Sequence, residues 1–522
     1  MNKHLLLLLL LLPAGMFAQQ QVTFPDDFLP DALNGKEVTI TNTLTLTNNY
    51  NYYTGDITLS NGMLWIPTEK NLPDKAMFAE KNAENKANQL TVYNGKFSFV
   101  DADGTCRIGQ TVTGITGTVK YSNGKYTLTL TQEPQFTGNP RPTEITTEEA
   151  YNVKVASFNI EHFNAKEEVQ RTKVSLSLKA LNADIYALTE VQGNGALHVL
   201  CDSLNKFFPD NTYLCVDNTS NTTSDMCAFI YNAAKMDVYG SFQRNKLALW
   251  NGNPYLDYRK VAQAFTLRSN NERFIVCLNH WKAKDGDGDT QDGQSGSVAK
   301  RMIEAEATLR FIEEMKTTFD DPDVLIVGDL NSYTKEDPIR TLDEGGMFNQ
   351  LQKYAPTEYS YAYHDNSLGY YAVGYLDHSF ANSSMDAQIV DARPFRINAD
   401  EPQKLDIGQP NVQPDNMYRC SDHNPIVTFI NLPDNSTGIH SPTATEATVR
   451  LSGNPHDGYL NIESHEPLTR IEVMQTNGQP VAAYRASNRT FTLPVEGLPG
   501  GIYLIRIRND KGEQTTLKTV LP

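Results

Sequence analysis

The chain lacks three things that would each have pointed to a different kind of protein. It has no apolar run long enough to cross a bilayer, few cysteines, and no excess of positive charge. The one unbroken apolar run, Leu5 to Leu12 in MNKHLLLLLLLLPAGMFAQQ, follows Lys3 and precedes small residues. It is shorter than the roughly 20 residues a membrane helix needs, and its layout is that of a secretory signal over residues 1–18, cleaved on export. The expectation is a mature protein outside the cytoplasm, without an integral membrane segment. Six cysteines in 522 residues exclude a dense disulfide framework, and no CxxC pair suggests zinc. Cys227 and Cys277 lie in apolar runs and read as buried thiols, while Cys201 and Cys215 are left as a candidate local bridge. A formal charge of −17 argues against tight binding by phosphate neutralisation, which needs basic clusters.

What is present divides the chain by texture. Residues 19–140 alternate apolar and polar positions, as in EVTITNTLTL, and TVTGITGTVKY meets YTLTLT across the Asn-Gly turn of SNGK. This predicts a small β barrel or sandwich, with a barrel like those that bind oligonucleotides as one form. A Pro-, Thr- and Glu-rich stretch, Thr137 to Ala150, reads as a linker. From Val153 strands alternate with helical periods: VKVASFNI, then EEVQRTKVSLSLKAL, ADIYALTEV, DMCAFIYN, RFIVCLNHW, a helix carrying Met302, Ala305, Leu309, Ile312 and Met315, and DVLIVGDLNS. The fold class predicted for residues 151–432 is a layered α/β sandwich. After a second linker near 433–447, residues 446–522 read as a small β-sandwich.

Polar residues recur where these apolar strands end. Asn159, Glu190, Asn279 with His280, Asp329 with Asn331, Asp377, and Asp422 with His423 in CSDHNPI follow in chain order. A single Asp-His pair before Asn-Pro is ordinarily a turn, but six such endings point to convergence at one sheet edge. Carboxylates and carboxamides without thiolates suit Mg²⁺ or Mn²⁺. Two histidines beside such an ion supply proton transfer. The chemistry implied is attack of water on a phosphodiester.

The blocks ASFNIEHF, ALTEVQG, LNHWKAK, GDLNSY, GYLDHSF and SDHNPI resemble the endonuclease/exonuclease/phosphatase superfamily over residues 151–432, and LNGKEVTITNTLTL with its continuation resembles the N-terminal β domain of secreted bacterial nucleases. The resemblance implies a deoxyribonuclease-like, Mg²⁺- or Mn²⁺-dependent hydrolase acting on DNA and, as a second class, RNA. Phospholipid (sphingomyelinase-like) or phosphomonoester substrates are the alternative within the same fold, and a noncatalytic surface-binding protein is the third expectation. Carried over by position, Asn159, Glu190 and Asp422 hold the metal. His423, polarised by Asp377, activates or orients the water; Asp329 and Asn331 position water and phosphate oxygens. His280 bonds the scissile phosphate and helps protonate the leaving oxygen, Arg259 contacts a substrate phosphate, and Asp225 is the nearest carboxylate partner for His280. In the loop Lys284 to Gly296, Asp285, Asp287 and Asp289 have calcium-loop spacing, but Thr290 and Gly296 stand where such a loop wants glycine and glutamate. A solvated loop is the first expectation and a structural Ca²⁺ the second. The tail, with LPGGIYLIRI and a final lysine-bearing strand, resembles the sorting domain of type IX secretion substrates. It implies the secretion machinery as partner and release or attachment at the cell surface. The chain itself is expected to be a monomer.

Overall fold

Period-two alternation along six stretches of the chain decides how the central region stacks. In the computed structural model, which describes residues 20–29, 32–220, 222–286, 288–363, 368–433, 449–452, 455, 458–475, 479–511 and 514–521, these six stretches and six further strands form two six-stranded sheets. One sheet centres on Val153–Phe163, parallel to Ile185–Gln192 and antiparallel to Ile426–Ile430. The other centres on Arg273–His280, parallel to Val324–Asp329, which is antiparallel to Asp377–Ala381. Each parallel pair is joined through a helix, Glu168–Leu181 in the first sheet and Val298–Phe319 in the second. Val153, Val155, Ile185, Ala187 and Phe229 of one sheet bury against Phe265, Val276, Leu278, Leu325 and Val327 of the other. The opposite faces bury under helices, so the layers run helix, sheet, sheet, helix as the sequence predicts.

The same parity carries the polar residues inward. Asn159 follows Val153 and Val155 on the inter-sheet face, His280 follows Val276 and Leu278, and Asp329 follows Leu325 and Val327. Parallel strands end at this edge and the antiparallel ones begin there, so Asp377 pairs directly with Asp329, and Asp329 with His280. One end of a dry sandwich thereby becomes polar.

Residues 37–130 build a second β unit against this sandwich. Glu37–Ile40 pairs with Ile115–Ser122, which pairs with Lys125–Leu130; that strand runs parallel to Leu90–Tyr93, next to Asp56–Ser60, which pairs with Leu44–Asn48. Because 37–40 and 44–48 are successive parts of one stretch, the ladder curls back toward its start as a barrel-like sheet around Val38, Ile40, Leu46, Leu59, Val92, Val119 and Leu128. Reading the region as β alone missed the helix Lys75–Ala87, which has no buried residue and therefore no apolar stripe to signal it.

The barrel is locked to the sandwich by charge. Fully buried Arg107 bonds Glu401 and lies 3.5 Å from Asp400; Arg141 bonds Glu401 at 2.8 Å, and Thr105 Oγ1 donates to it at 2.6 Å. Arg141 and buried Ile145 make the stretch 137–150 a packed connection rather than a free linker. Replacing Arg107 by alanine leaves two buried carboxylates short of a partner, and urea denaturation is expected to show a loss of about 3–5 kcal/mol. Unchanged stability would mean the barrel docks by other means.

The chain divides into two contact units, residues 1–436 and 437–522. In the second, a three-stranded sheet (Val449–Ser452, Tyr459–Ser464, Thr490–Pro494) and a four-stranded sheet centred on Leu468–Gln475 and Gly501–Asn509 enclose Leu460, Ile462, Ile471, Val473, Ile505 and Ile507. The signal segment 1–18 and most of the second linker lie outside the described residues. All six cysteines are free thiols, with Cys227 and Cys277 buried as expected. The Cys201–Cys215 bridge is not formed: both are free thiols, and Cys201 Sγ donates to Tyr213 O at 3.1 Å. No helix among the described residues is long and apolar enough to cross a membrane.

Candidate active site

Glu190 reaches the polar edge through a backbone irregularity. The pairing of Ile185–Gln192 slips between Leu188 and Val191, and Glu190 adopts φ +62°, which turns its carboxylate out of the strand's alternation. Glu161, His162, Asn331 and Arg419 also have φ near +50 to +60°. Such conformations are uncommon for residues with a Cβ, and their gathering at one edge marks a constrained, functional place.

Around Glu190 the expected residues converge. Asn159 Nδ2 donates to Glu190 Oε1 at 3.0 Å and to Asp329 Oδ2 at 3.1 Å. His280 Nε2 lies 3.6 Å from Glu190 Oε1 and 3.7 Å from Asp329 Oδ2. His423 Nδ1 lies 2.7 Å from Asp377 Oδ2, while its Nε2 stands 3.8 Å from Asp329 and 3.9 Å from Asp422. Ser421 Oγ, accepting from His423 N at 3.2 Å and donating to Asn159 O at 2.7 Å, ties the SDHN turn to the first strand. Asn331 is anchored by Nδ2 on Trp281 O at 3.1 Å, and its backbone N–H donates to Asp329 Oδ1.

The charges are unbalanced in an informative way. Burial, reinforced by Asp377 and Glu190, pushes the Asp329 carboxyl up to about 7 against the opposing pull of His423. Burial and then Asp422 push Glu161 up to about 8. Burial opposes a charge on His423, but Asp377, Asp422 and Asp329 outweigh it and hold the imidazolium well above its ordinary range. Burial, helped by Arg259, drives His280 well below it. His280 Nδ1 is buried without a protein partner.

Crowded carboxylates, with no buried lysine or arginine among the described residues bonded to them, fit a hard divalent cation. Three triads among the described residues, His162 with Glu190 and Asp225, Glu190 with His280 and Asp329, and Asp329 with Asp377 and His423, bring one ligand atom each within 4.8 Å of one another. Uptake of Mn²⁺ near pH 7 must expel the protons that the raised carboxyls hold. Acidification of a weakly buffered solution on adding Mn²⁺ is the expected result, and ion binding without proton release would contradict the titration assigned to Asp329 and Glu161.

Some assignments change. Asp225 does not serve His280: its carboxylate lies 2.8 Å from His162 Nδ1, accepts from Gln192 Nε2 at 3.2 Å, and is 3.5 Å from Arg259 Nη2. His162 also sits 3.1 Å from Glu190 Oε2, and its backbone N–H donates to the same oxygen at 2.9 Å. The strand bends after Asn159 and delivers Glu161 and His162 to the same edge, which the block ASFNIEHF spelled out and the expectation of a strand ending at Asn159 passed over. Arg259 donates from Nε to Asp225 O, at the margin of the cluster. The calcium triplet gains no support among the described residues: Asp285 pairs with Lys282, Asp289 Oδ1 accepts from Gln291 N, and Asp287 lies outside them. Also missed were Tyr361, whose ring sits 4.8 Å from that of His423, and Asn398, whose Nδ2 donates to His423 O at 2.7 Å.

No curated protein matches the chain. Similar solved structures include an endonuclease/exonuclease/phosphatase from Bacteroides vulgatus, 18% identical, covering 54% of this chain and 99% of that one at a TM-score of 0.37. A mannosyl-6-phosphatase from Bacteroides thetaiotaomicron is 14% identical over 54% of this chain and 100% of its own, with a TM-score of 0.38. D. rerio TDP2 complexed with single strand DNA product is 12% identical over 54% and 99%, with a TM-score of 0.36. At the other end of the chain, residues 453–521 match the family model described as a secretion system C-terminal sorting domain.

Proposed function

We propose that the chain is an exported, divalent-metal-dependent hydrolase of phosphodiester bonds, acting on DNA and secondarily on RNA. The observation that carries this is the meeting of His280, Asp329, Asp377 and His423 with Glu190 and Asn159 at one edge of the sandwich. The superfamily blocks read from the sequence supply the residues, and the sorting domain supplies the route out of the cell.

Glu190 and Asn159, with Asp422 and Asp329 beside them, would hold Mg²⁺ or Mn²⁺. Such an ion, when bound, polarises phosphoryl oxygens and offsets the charge that develops on them. Asp329 would position the attacking water. Asp377 fixes the His423 ring through Nδ1 and leaves Nε2 to activate or orient that water. His280 would hydrogen-bond the scissile phosphate and help protonate the leaving oxygen. Asn331 orients the phosphate oxygens, and Arg259 meets a flanking phosphate.

The test is a substrate panel with the full chain: plasmid DNA, a single-stranded oligonucleotide, RNA, a phosphocholine lipid and p-nitrophenyl phosphate, each with and without EDTA. Chelator-sensitive cleavage of the nucleic acids is expected. Turnover confined to the lipid or the monoester would overturn the substrate class while leaving the fold untouched.

A further inference from the structure

The connection between two barrel strands, residues 64–69, leaves the barrel and enters the sandwich. Ile66 N donates to Val373 O at 3.0 Å and Val373 N to Leu64 O at 2.9 Å, while Lys335 N donates to Thr68 O at 2.9 Å. Glu69, 1% exposed, ends this segment. Its Oε1 accepts from Thr334 Oγ1 at 2.7 Å, and its Oε2 accepts from Thr334 N at 3.2 Å and Tyr375 N at 3.1 Å. Thr334 stands three residues after Asn331, and Tyr375 two residues before Asp377. The approach is close: a Cβ at Gly374 would lie 3.3 Å from Glu69 Oε2 and 2.6 Å from the Tyr333 ring.

We propose that Glu69, delivered by the N-terminal barrel, is a positioning residue for the hydrolytic site. Its carboxylate ties the turn that follows Asp329 and Asn331 to the strand that leads into Asp377. The inference rests on the proposed phosphodiester hydrolysis and deepens it, because the barrel becomes part of the catalytic framework rather than a separate module. A carboxylate serves all three donors with its two oxygens, whereas glutamine keeps one oxygen for the two backbone N–H groups and forces the Thr334 hydroxyl to turn and accept from its N–H₂. Burial also pushes the Glu69 carboxyl up to about 7, a destabilising cost that packing alone does not call for. Loosening this tie moves Asp329 relative to Asp377 and His423, and displacements of about 1 Å at such sites cost about 100-fold in rate.

The experiment uses the full chain with Glu69→Gln, Glu69→Asp and Thr334→Val. Steady-state kinetics on an oligonucleotide, thermal unfolding and amide exchange at Thr334 and Tyr375 are measured together. Glu69→Gln is expected to lower kcat at least about tenfold with KM and melting temperature near wild type, and to speed exchange at both amides but not around Glu401. Glu69→Asp is expected to recover part of kcat. Wild-type kcat in Glu69→Gln overturns the proposal, as does a loss of kcat that disappears on cooling in step with regained folded signal. Should Glu69→Gln fail to fold, Thr334→Val carries the test, and wild-type kcat there overturns it. If the wild type cleaves none of the substrates, the hydrolase reading falls separately, and unchanged exchange at Thr334 and Tyr375 in Glu69→Gln then overturns the tie itself.

Discussion

His423→Ala is expected to lower kcat on DNA by about 10² to 10⁴-fold, the usual worth of a positioned proton carrier. The ring is gripped on one side by Asp377 at 2.7 Å and covered by Tyr361, so its Nε2 can point only toward Asp329 and Asp422. KM should change little, since the proposed role of His423 is at the reacting phosphate rather than along the bound strand. Asp377→Asn should lose a similar factor, because an amide no longer holds the ring's charge or its tautomer. The pair acts as a unit, so the double substitution should cost about as much as either alone. Losses that multiply would show two independent roles.

Glu190→Gln is the second large effect. The substitution keeps the side chain's shape but removes the charge at the centre of the cluster, where Asn159, His280 and His162 all meet it. Changes to groups that merely support metal ligands cost about 10 to 100-fold in affinity, so loss of a proposed ligand should exceed 100-fold for Mn²⁺, with turnover falling in parallel. The metal-free variant should also be the more stable protein near neutral pH. Asp329 titrates higher in the fold than in the unfolded chain, so its contribution is favourable below about pH 4 and is lost as pH rises through about 7. Removing the Glu190 charge lowers the Asp329 pKa and returns part of that loss. Calorimetry at pH 5 and pH 8, compared with equilibrium Mn²⁺ binding, checks both halves; a variant that binds Mn²⁺ normally refutes the assignment.

Much of this site was written in the periodicity. Alternation along VKVASFNI, RFIVCLNH and DVLIVGD fixes which side chains enter the space between the sheets, and the parallel connections fix which strand ends share an edge. What alternation cannot show is a slip in it. Glu190 is aimed by a bulge, and His162 by a turn of backbone after the expected strand end; the block ASFNIEHF contains His162 but does not show where the backbone points it. Asp225, expected beside His280, meets His162 instead. The barrel was legible as β from its Thr-rich alternation, yet its union with the sandwich was not. Arg107 and Glu401, or Glu69 and Tyr375, meet across roughly 300 residues of sequence, and nothing local distinguishes a buried acid with a distant partner from a solvated one. The acidic loop after His280 shows the reverse: regular aspartate spacing, with Asp285 taken by Lys282.

The most direct measurement is hydrolysis of a dinucleotide holding a single phosphodiester bond, by wild type, His280→Ala and His423→Ala, each with Mn²⁺ and with EDTA. Robust cleavage by the wild type with Mn²⁺, abolished by EDTA and severely reduced in both variants with their melting curves preserved, is the outcome this account requires. Cleavage that survives the chelator, or that both variants perform at the wild-type rate, would contradict it.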